Sequence, residues 1–120
     1  MATASTVWPT ELRLREGGRT LAVAFDNGER YELDAEYLRV ESPSAEVQGH
    51  SPEQRRWIGG KKNVKIREIS PVGNYAARIA FDDGHDTGIY SWETLRHLGM
   101  HRDEIWAHYL SNISARGMTR

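Results

Sequence analysis

One pattern is written twice in this chain, and that repetition limits the possible folds more than any other feature. Ala24 to Arg39 reads AFDNGERYELDAEYLR, and Ala80 to Arg96 reads AFDDGHDTGIYSWETLR. Each copy opens Ala-Phe-Asp-(Asn/Asp)-Gly, runs through a strand-like stretch to an aromatic residue, and closes on Leu-Arg. Phe25 to Leu38 is 13 steps and Phe81 to Leu95 is 14. Asn-Gly and Asp-Gly are hairpin chemistry because these residues tolerate positive φ. Duplication of one unit and convergence of two hairpins on the same turn therefore both explain the echo.

The flanking patterns extend each copy into strand, turn, strand, helix. In the first, Leu12 and Leu14 alternate with Glu11, Arg13 and Arg15 as a half-buried strand. Glu16–Gly18 is a turn, Thr20–Phe25 a second strand, Asp26–Gly28 a hairpin turn and Arg30–Leu33 a third strand, after which Asp34 caps a short helix through Leu38. In the second, Val64–Val72 and Tyr75–Phe81 alternate as strands, and a third strand-like stretch runs from His85 to Tyr90. Ser91 then caps a helix through Leu98 that Gly99 should end, with Glu93 well placed in its first turn. The extra residue of this copy points to a bulge near Gly88, which could re-aim His85. An amphipathic helix from about Arg102 puts Ile105, Trp106, Tyr109, Leu110 and Ile113 on one face, and Gly117 closes it. The predicted fold is α+β: small antiparallel sheets from two related strand-turn-strand-helix halves, plus the C-terminal amphipathic helix. Residues 1–9 read as a flexible N-terminal tail and 10–117 as a single domain.

Composition narrows the function. The 120 residues carry a formal net charge of −1, so no global field favours nucleic acid or an anionic membrane. No apolar run is long enough for a membrane span. With no cysteine, disulfides, thiolate metal sites and cysteine nucleophiles are excluded. The N-terminal MATASTVWP lacks a basic start and an apolar core, so no secretory signal is expected and a cytoplasmic location is predicted.

Between the copies, Glu41 to Lys62 (ESPSAEVQGHSPEQRRWIGGKK) is rich in Ser, Pro, Gly and charge, and reads as a long irregular connection of the kind that often carries function. Arg55, Arg56, Lys61, Lys62, Lys65 and Arg67 gather around Trp57 with no acidic residue among them. Such a run can hold phosphate or single-stranded nucleic acid. It can equally be a solvated face, and the phosphate-loop frame is missing around Gly59-Gly60-Lys61-Lys62. Trp8 and Trp57 lie in polar stretches where an exposed indole could anchor a partner. Trp92, Trp106, Tyr109 and Phe81 are most simply core. His97 and His101 are four apart but separated by Gly99, so they read, with His108, as surface histidines. Asp26, Asp82, Asp83 and Asp86 are explained by turn chemistry.

The segment YLRVESPSAEVQGH with NVKIREISPVGNYAARIAFDDGHDTGIYSWETLRHLG resembles the domain of unknown function 971, also called the gamma-butyrobetaine hydroxylase-like N-terminal domain, over Leu12 to Leu98. That family includes stand-alone bacterial proteins, N-terminal modules of carnitine-pathway dioxygenases and a domain appended to some iron–sulfur carrier ATPases. In the dioxygenases the module resembles a zinc-bound subdomain. Its three cysteines fall here on Ser42, Ser44 and Val47, and its histidine on His85. Serine is a poor zinc ligand and valine cannot coordinate, so neither metal nor other cofactor is expected. The dioxygenase iron motif belongs to a catalytic domain that these residues do not contain.

The resemblance implies a non-catalytic accessory module that binds a protein partner or small ligand, with His85, His50, Trp57, Lys61 and Lys62 as candidate contacts. The alternative is an iron- or zinc-binding accessory protein linked to iron–sulfur cluster assembly, using His85 with His50 and carboxylates. His85 also has a plain structural reading, a turn-exit histidine whose ring fixes the hairpin. No membrane or nucleic-acid partner is expected.

Overall fold

The computed structural model describes residues 7–120. Two three-stranded antiparallel sheets form the framework. The first contains β1 (Pro9–Arg15), β2 (Thr20–Phe25) and β3 (Arg30–Asp34) in that order; the second contains β4 (Ile66–Val72), β5 (Ala76–Phe81) and β6 (Gly88–Ser91). Each third strand runs into a helix, α1 (Ala35–Val40) and α3 (Trp92–Met100), and α4 (Arg102–Ala115) follows. This is the α+β architecture expected from the two copies. Of the expected tail, residues 1–6 lie outside the described residues. Pro9 opens β1, and the Trp8 N–H donates to Asp26 Oδ1 at 3.2 Å while the Asp26 N–H returns a bond to the Trp8 carbonyl.

The halves match bond for bond. Phe25 N–H donates to the Glu29 carbonyl and Phe81 N–H to the His85 carbonyl, each at 2.9 Å. Asn27 Oδ1 accepts the Glu29 N–H, and Asp83 Oδ1 accepts the His85 N–H. Lys65 N–H donates to Asp82 Oδ1 and the Asp82 N–H to the Lys65 carbonyl, repeating the Trp8–Asp26 pair. The register shifts also correspond, at Pro9/Glu11 and at Ile66/Glu68. His85 is thus the second-half counterpart of Glu29.

The extra residue of the second copy falls beside Gly88, as expected: the turn closes through the Phe81–His85 bond as Phe25–Glu29 does, but the next pair is Ile79↔Gly88, one residue out of step with Val23↔Tyr31. Asp86 and Thr87 together span the interval that Arg30 alone covers in the first copy. Other local expectations are corrected. Gly99 does not end α3, which runs to Met100. A Cβ there would lie 2.5 Å from the Tyr31 ring, so the glycine admits a close crossing between the helix and the first sheet. Asp34 occupies the N-cap position of α1 without a side-chain capping bond, whereas Ser91 caps α3 by accepting the Thr94 N–H at 3.0 Å. The long connection is partly regular, with α2 (Ala45–Gln48), capped by Ser44, and a single 3-10 turn at Pro52–Gln54.

Alternation on the central strands places Leu21, Val23 and Phe25 of β2 and Ile79 and Phe81 of β5 inward, as the period-2 pattern requires. They share one core with Tyr37, Leu38, Leu95 and Leu98 from α1 and α3. A second, smaller cluster joins Val40, Tyr109 and Ile113, with Trp57, Trp106, Leu110 and Met118 packed against it. The connection is held there to α4 and to the residues after it: Tyr109 Oη donates to the Ile58 carbonyl at 2.6 Å, and Gly60 N–H to the Thr119 carbonyl at 2.9 Å. No helix among the described residues is long and apolar enough to cross a membrane.

Candidate functional site

The repeated Leu-Arg endings meet the repeated turns crosswise. Arg39, at the end of the first copy, donates from Nε to Asp83 Oδ2 in the second copy's turn at 2.7 Å. Arg96, at the same place in the second copy, forms a two-pronged pair with Glu29 in the first copy's turn, both bonds 2.8 Å. Each half therefore clasps the hairpin of the other. The two clasps differ in burial: side-chain exposure is 11% and 17% for Arg39 and Asp83, and 27% for both Arg96 and Glu29.

Asp83 is the more heavily committed carboxylate. Besides Arg39 it receives Lys61 Nζ at 2.7 Å and the His85 N–H at 3.0 Å. Burial alone would raise its pKa, but the bonds from Lys61, the His85 backbone and Arg39 outweigh that and hold it down at about 2. Glu29 is likewise held down at about 2, chiefly by Arg96.

Around His85 the four positions that the family resemblance links to zinc do come together, but as a hydrogen-bonded network. Ser42 Oγ lies 2.9 Å from His85 Nε2, and Glu46 Oε1 lies 3.0 Å from Nδ1. A carboxylate only accepts, so it fixes the proton on Nδ1 and leaves Nε2 to accept the Ser42 hydroxyl. Burial, followed by the charge of Arg39, lowers the His85 pKa against the opposing pull of Glu46 and Asp83, which keeps the ring neutral at pH 7. Ser42 Oγ also accepts the Ser44 N–H, and Ser44 Oγ pairs with Thr87 Oγ1 at 2.7 Å while capping α2 through the Glu46 N–H. Val47 is packed away from solvent. The segment from Ser42 to Val47 is thus tied to the second hairpin entirely by protein groups.

This donor set does not fit the zinc centre of the resembling dioxygenase modules. One imidazole with both nitrogens engaged, two bonded hydroxyls and a valine cannot replace three thiolates and a histidine. Among the described residues no group of three or more His, Asp or Glu side chains is placed to hold a metal ion.

The Ser42–His85–Glu46 order also has the connectivity of a hydrolytic triad. Its surroundings differ from those of a nucleophile. Ser42 is 0% exposed, and the β6 backbone passes so close that a Cβ at Gly88 would lie 2.7 Å from its Oγ. An attacking hydroxyl needs room for a reacting carbonyl about 3 Å away, and that space is filled.

Two of the concavities along the connection matter here. A groove of about 560 Å³ is lined by Pro43, Gln48 and Arg55 on one side and by His97, Leu98 and Ile105 on the other. At its base Arg55 Nη2 donates to Glu41 Oε2 at 3.0 Å, and burial pushes the Glu41 carboxyl up against the opposing effect of Arg55. The second cavity, about 260 Å³, lies beside His85 and is bordered by Arg39, Arg56 and Lys61.

The other predicted contacts are dispersed. Trp57 is a half-buried wedge, with the Arg55 guanidinium 3.9 Å from its ring centroid and His108 edge-on at 5.5 Å. Trp8 is 44% exposed. His50 is exposed and donates its N–H to Gln54 Oε1, and it does not line the cavity beside His85. Lys62 borders a different depression with Glu36 and Arg120. Because α3 continues through Gly99, the His97 and His101 rings lie 4.9 Å apart. Sequence reasoning missed Glu46, Thr87 and the reach of Arg39. The repeated Leu-Arg was the available signal for Arg39; nothing local marked Glu46.

Residues 12–96 match the family model described as gamma-butyrobetaine hydroxylase-like, N-terminal. Two proteins solved in solution by NMR are similar throughout: one is 44% identical with a TM-score of 0.83, covering 100% of this chain and 89% of the other, and one is 39% identical with a TM-score of 0.82, covering 97% and 91%. A crystal structure from Acidithiobacillus ferrooxidans, of a protein of unknown function in the domain of unknown function 971 family, is 38% identical with a TM-score of 0.63, covering 76% of this chain and 91% of that one. No curated protein matches.

Proposed function

This chain belongs to the gamma-butyrobetaine hydroxylase-like, N-terminal family, and on that premise we propose that it is a non-catalytic cytoplasmic accessory module that works without a resident metal. It binds a small ligand or protein partner through the Glu41–Lys62 connection and the surface beside His85. The observation carrying this reading is the closed Ser42–His85–Glu46 network, which leaves no free nucleophile or open metal position at the residues best suited to supply one. The same network holds the connection against the second hairpin, so that it forms a wall of both concavities. Binding sites are concave and largely preformed, with a few convergent polar groups, and these walls meet that description.

Amide chemical shifts of isotope-labelled protein, followed during titration with a panel of small amines, carboxylates and phosphate esters, test the reading. Perturbations should gather on Gln48, Arg55, His97 and Ile105, or on Lys61 and His85. Perturbations confined to the outer strands β1 and β4 would move the binding surface elsewhere and overturn the assignment.

A further inference from the structure

A wall of the cavity beside His85 contains a buried guanidinium whose donors are only partly used. Arg39 is 9% exposed, its Nε is taken by Asp83, and its Nη1 is buried without any hydrogen-bond partner. A buried guanidinium nitrogen with no acceptor carries a desolvation cost that a native structure normally relieves. Arg56 lies on the same wall, exposed and in no ion pair among the described residues. Lys61 completes the rim with its ammonium on Asp83, and Glu46, held by His85, is the one acidic side chain in the lining. Counting Asp83 behind the wall, three fixed cations face two carboxylates, and the acceptor that this arrangement lacks is an anion.

We propose that this cavity is a binding site for a tetrahedral oxyanion, a phosphate group carried either free or as a small phosphomonoester. The proposal rests on the reading of this surface as a binding site and specifies its ligand chemistry. Arg56 would present its planar fork, the geometry suited to phosphate oxygens, while Lys61 adds charge from the rim and Arg39 from the wall. About 260 Å³ accommodates a phosphate with part of an attached small group but no extended polymer. The basic run noted in the sequence thus divides: Arg56 and Lys61 reach this cavity, and Lys62 does not.

The test uses the full chain at constant ionic strength, titrated with inorganic phosphate, with glycerol phosphate and with acetate while the Arg39 Nε–H and His85 ring signals are followed. Saturable shifts with phosphate or its ester, and weaker ones with acetate, are expected; a tighter ester than free phosphate would identify the monoester as the source. Arg56→Gln removes an exposed side chain without an ion pair, so its fold should be unchanged, and it should weaken binding about 10-fold. Lys61→Gln provides a second reading from the opposite rim. Linear, non-saturating shifts, equal response to acetate, or affinity unchanged in both variants would overturn the site. If phosphate fails while other compounds still perturb Gln48, Arg55 and His97, the oxyanion proposal falls and the binding-module reading stands.

Discussion

Replacing Asp83 by alanine is expected to destabilise the fold by about 3–5 kcal/mol, the usual cost of leaving a largely buried charge without its partner. One carboxylate here serves Arg39, Lys61 and the His85 N–H, so its removal strands a buried guanidinium and opens the turn that positions His85. Asp83→Asn should cost less, because an amide oxygen can still accept the backbone bond. Glu29→Ala, in the equivalent clasp of the other half, should cost much less, since that pair is more exposed. The pH dependence follows from the same carboxylate. Its folded-state pKa of about 2 is below the ordinary 3.8, so its contribution is present above the ordinary value and is lost as pH falls from about 4 through 2. Urea unfolding across that range should show wild-type stability falling more steeply than that of Asp83→Asn. Parallel curves would mean that Asp83 is not the linking group.

Gly18→Ala should be comparably damaging for a purely steric reason. Gly18 sits at φ +96°, where a side chain is strained, and a Cβ would overlap the backbone carbonyl of Ile66 at the start of β4. Backbone strain and forced overpacking together suggest about 2–6 kcal/mol. Gly28 separates the two contributions: its φ is +94°, but nothing lies within 4 Å of a Cβ there. Gly28→Ala should therefore show the strain alone, about 1–3 kcal/mol. Thermal unfolding of both variants measures the difference, and equal losses would remove the close approach between the first sheet's turn and β4 from the account.

What could be read from the sequence was whatever local chemistry determines. The limits of β2 were legible to the residue because the apolar stretch Thr20–Phe25 lies between two glycine-bearing turns. The α4 face was legible because Ile105, Tyr109 and Ile113 recur at helical spacing. Local rules failed where tertiary contact decides. Gly99 reads as a helix stop, yet its missing Cβ serves the Tyr31 crossing. The connection read as irregular because α2 has only four residues and depends on the Ser44 cap and the His85–Glu46 bond. The site followed the same division. His85, Ser42, Ser44 and Val47 were traceable through the family pattern, and they do converge. Glu46 was not traceable, because an exposed glutamate next to Val47 carries no sign that a histidine 39 residues away will seek it.

His85 is a protein-bonded clasp at a position linked to zinc in the resembling modules. Metal content of untagged wild-type and His85→Ala protein, measured with thermal unfolding in the presence and absence of a chelator, tests it most directly. Substoichiometric zinc and iron in both proteins, wild-type unfolding indifferent to chelator, and a loss of about 2 kcal/mol in His85→Ala from the broken bonds to Ser42 and Glu46 are expected. One equivalent of metal in the wild type, absent from His85→Ala and stripped with a fall in melting temperature, would contradict this reading.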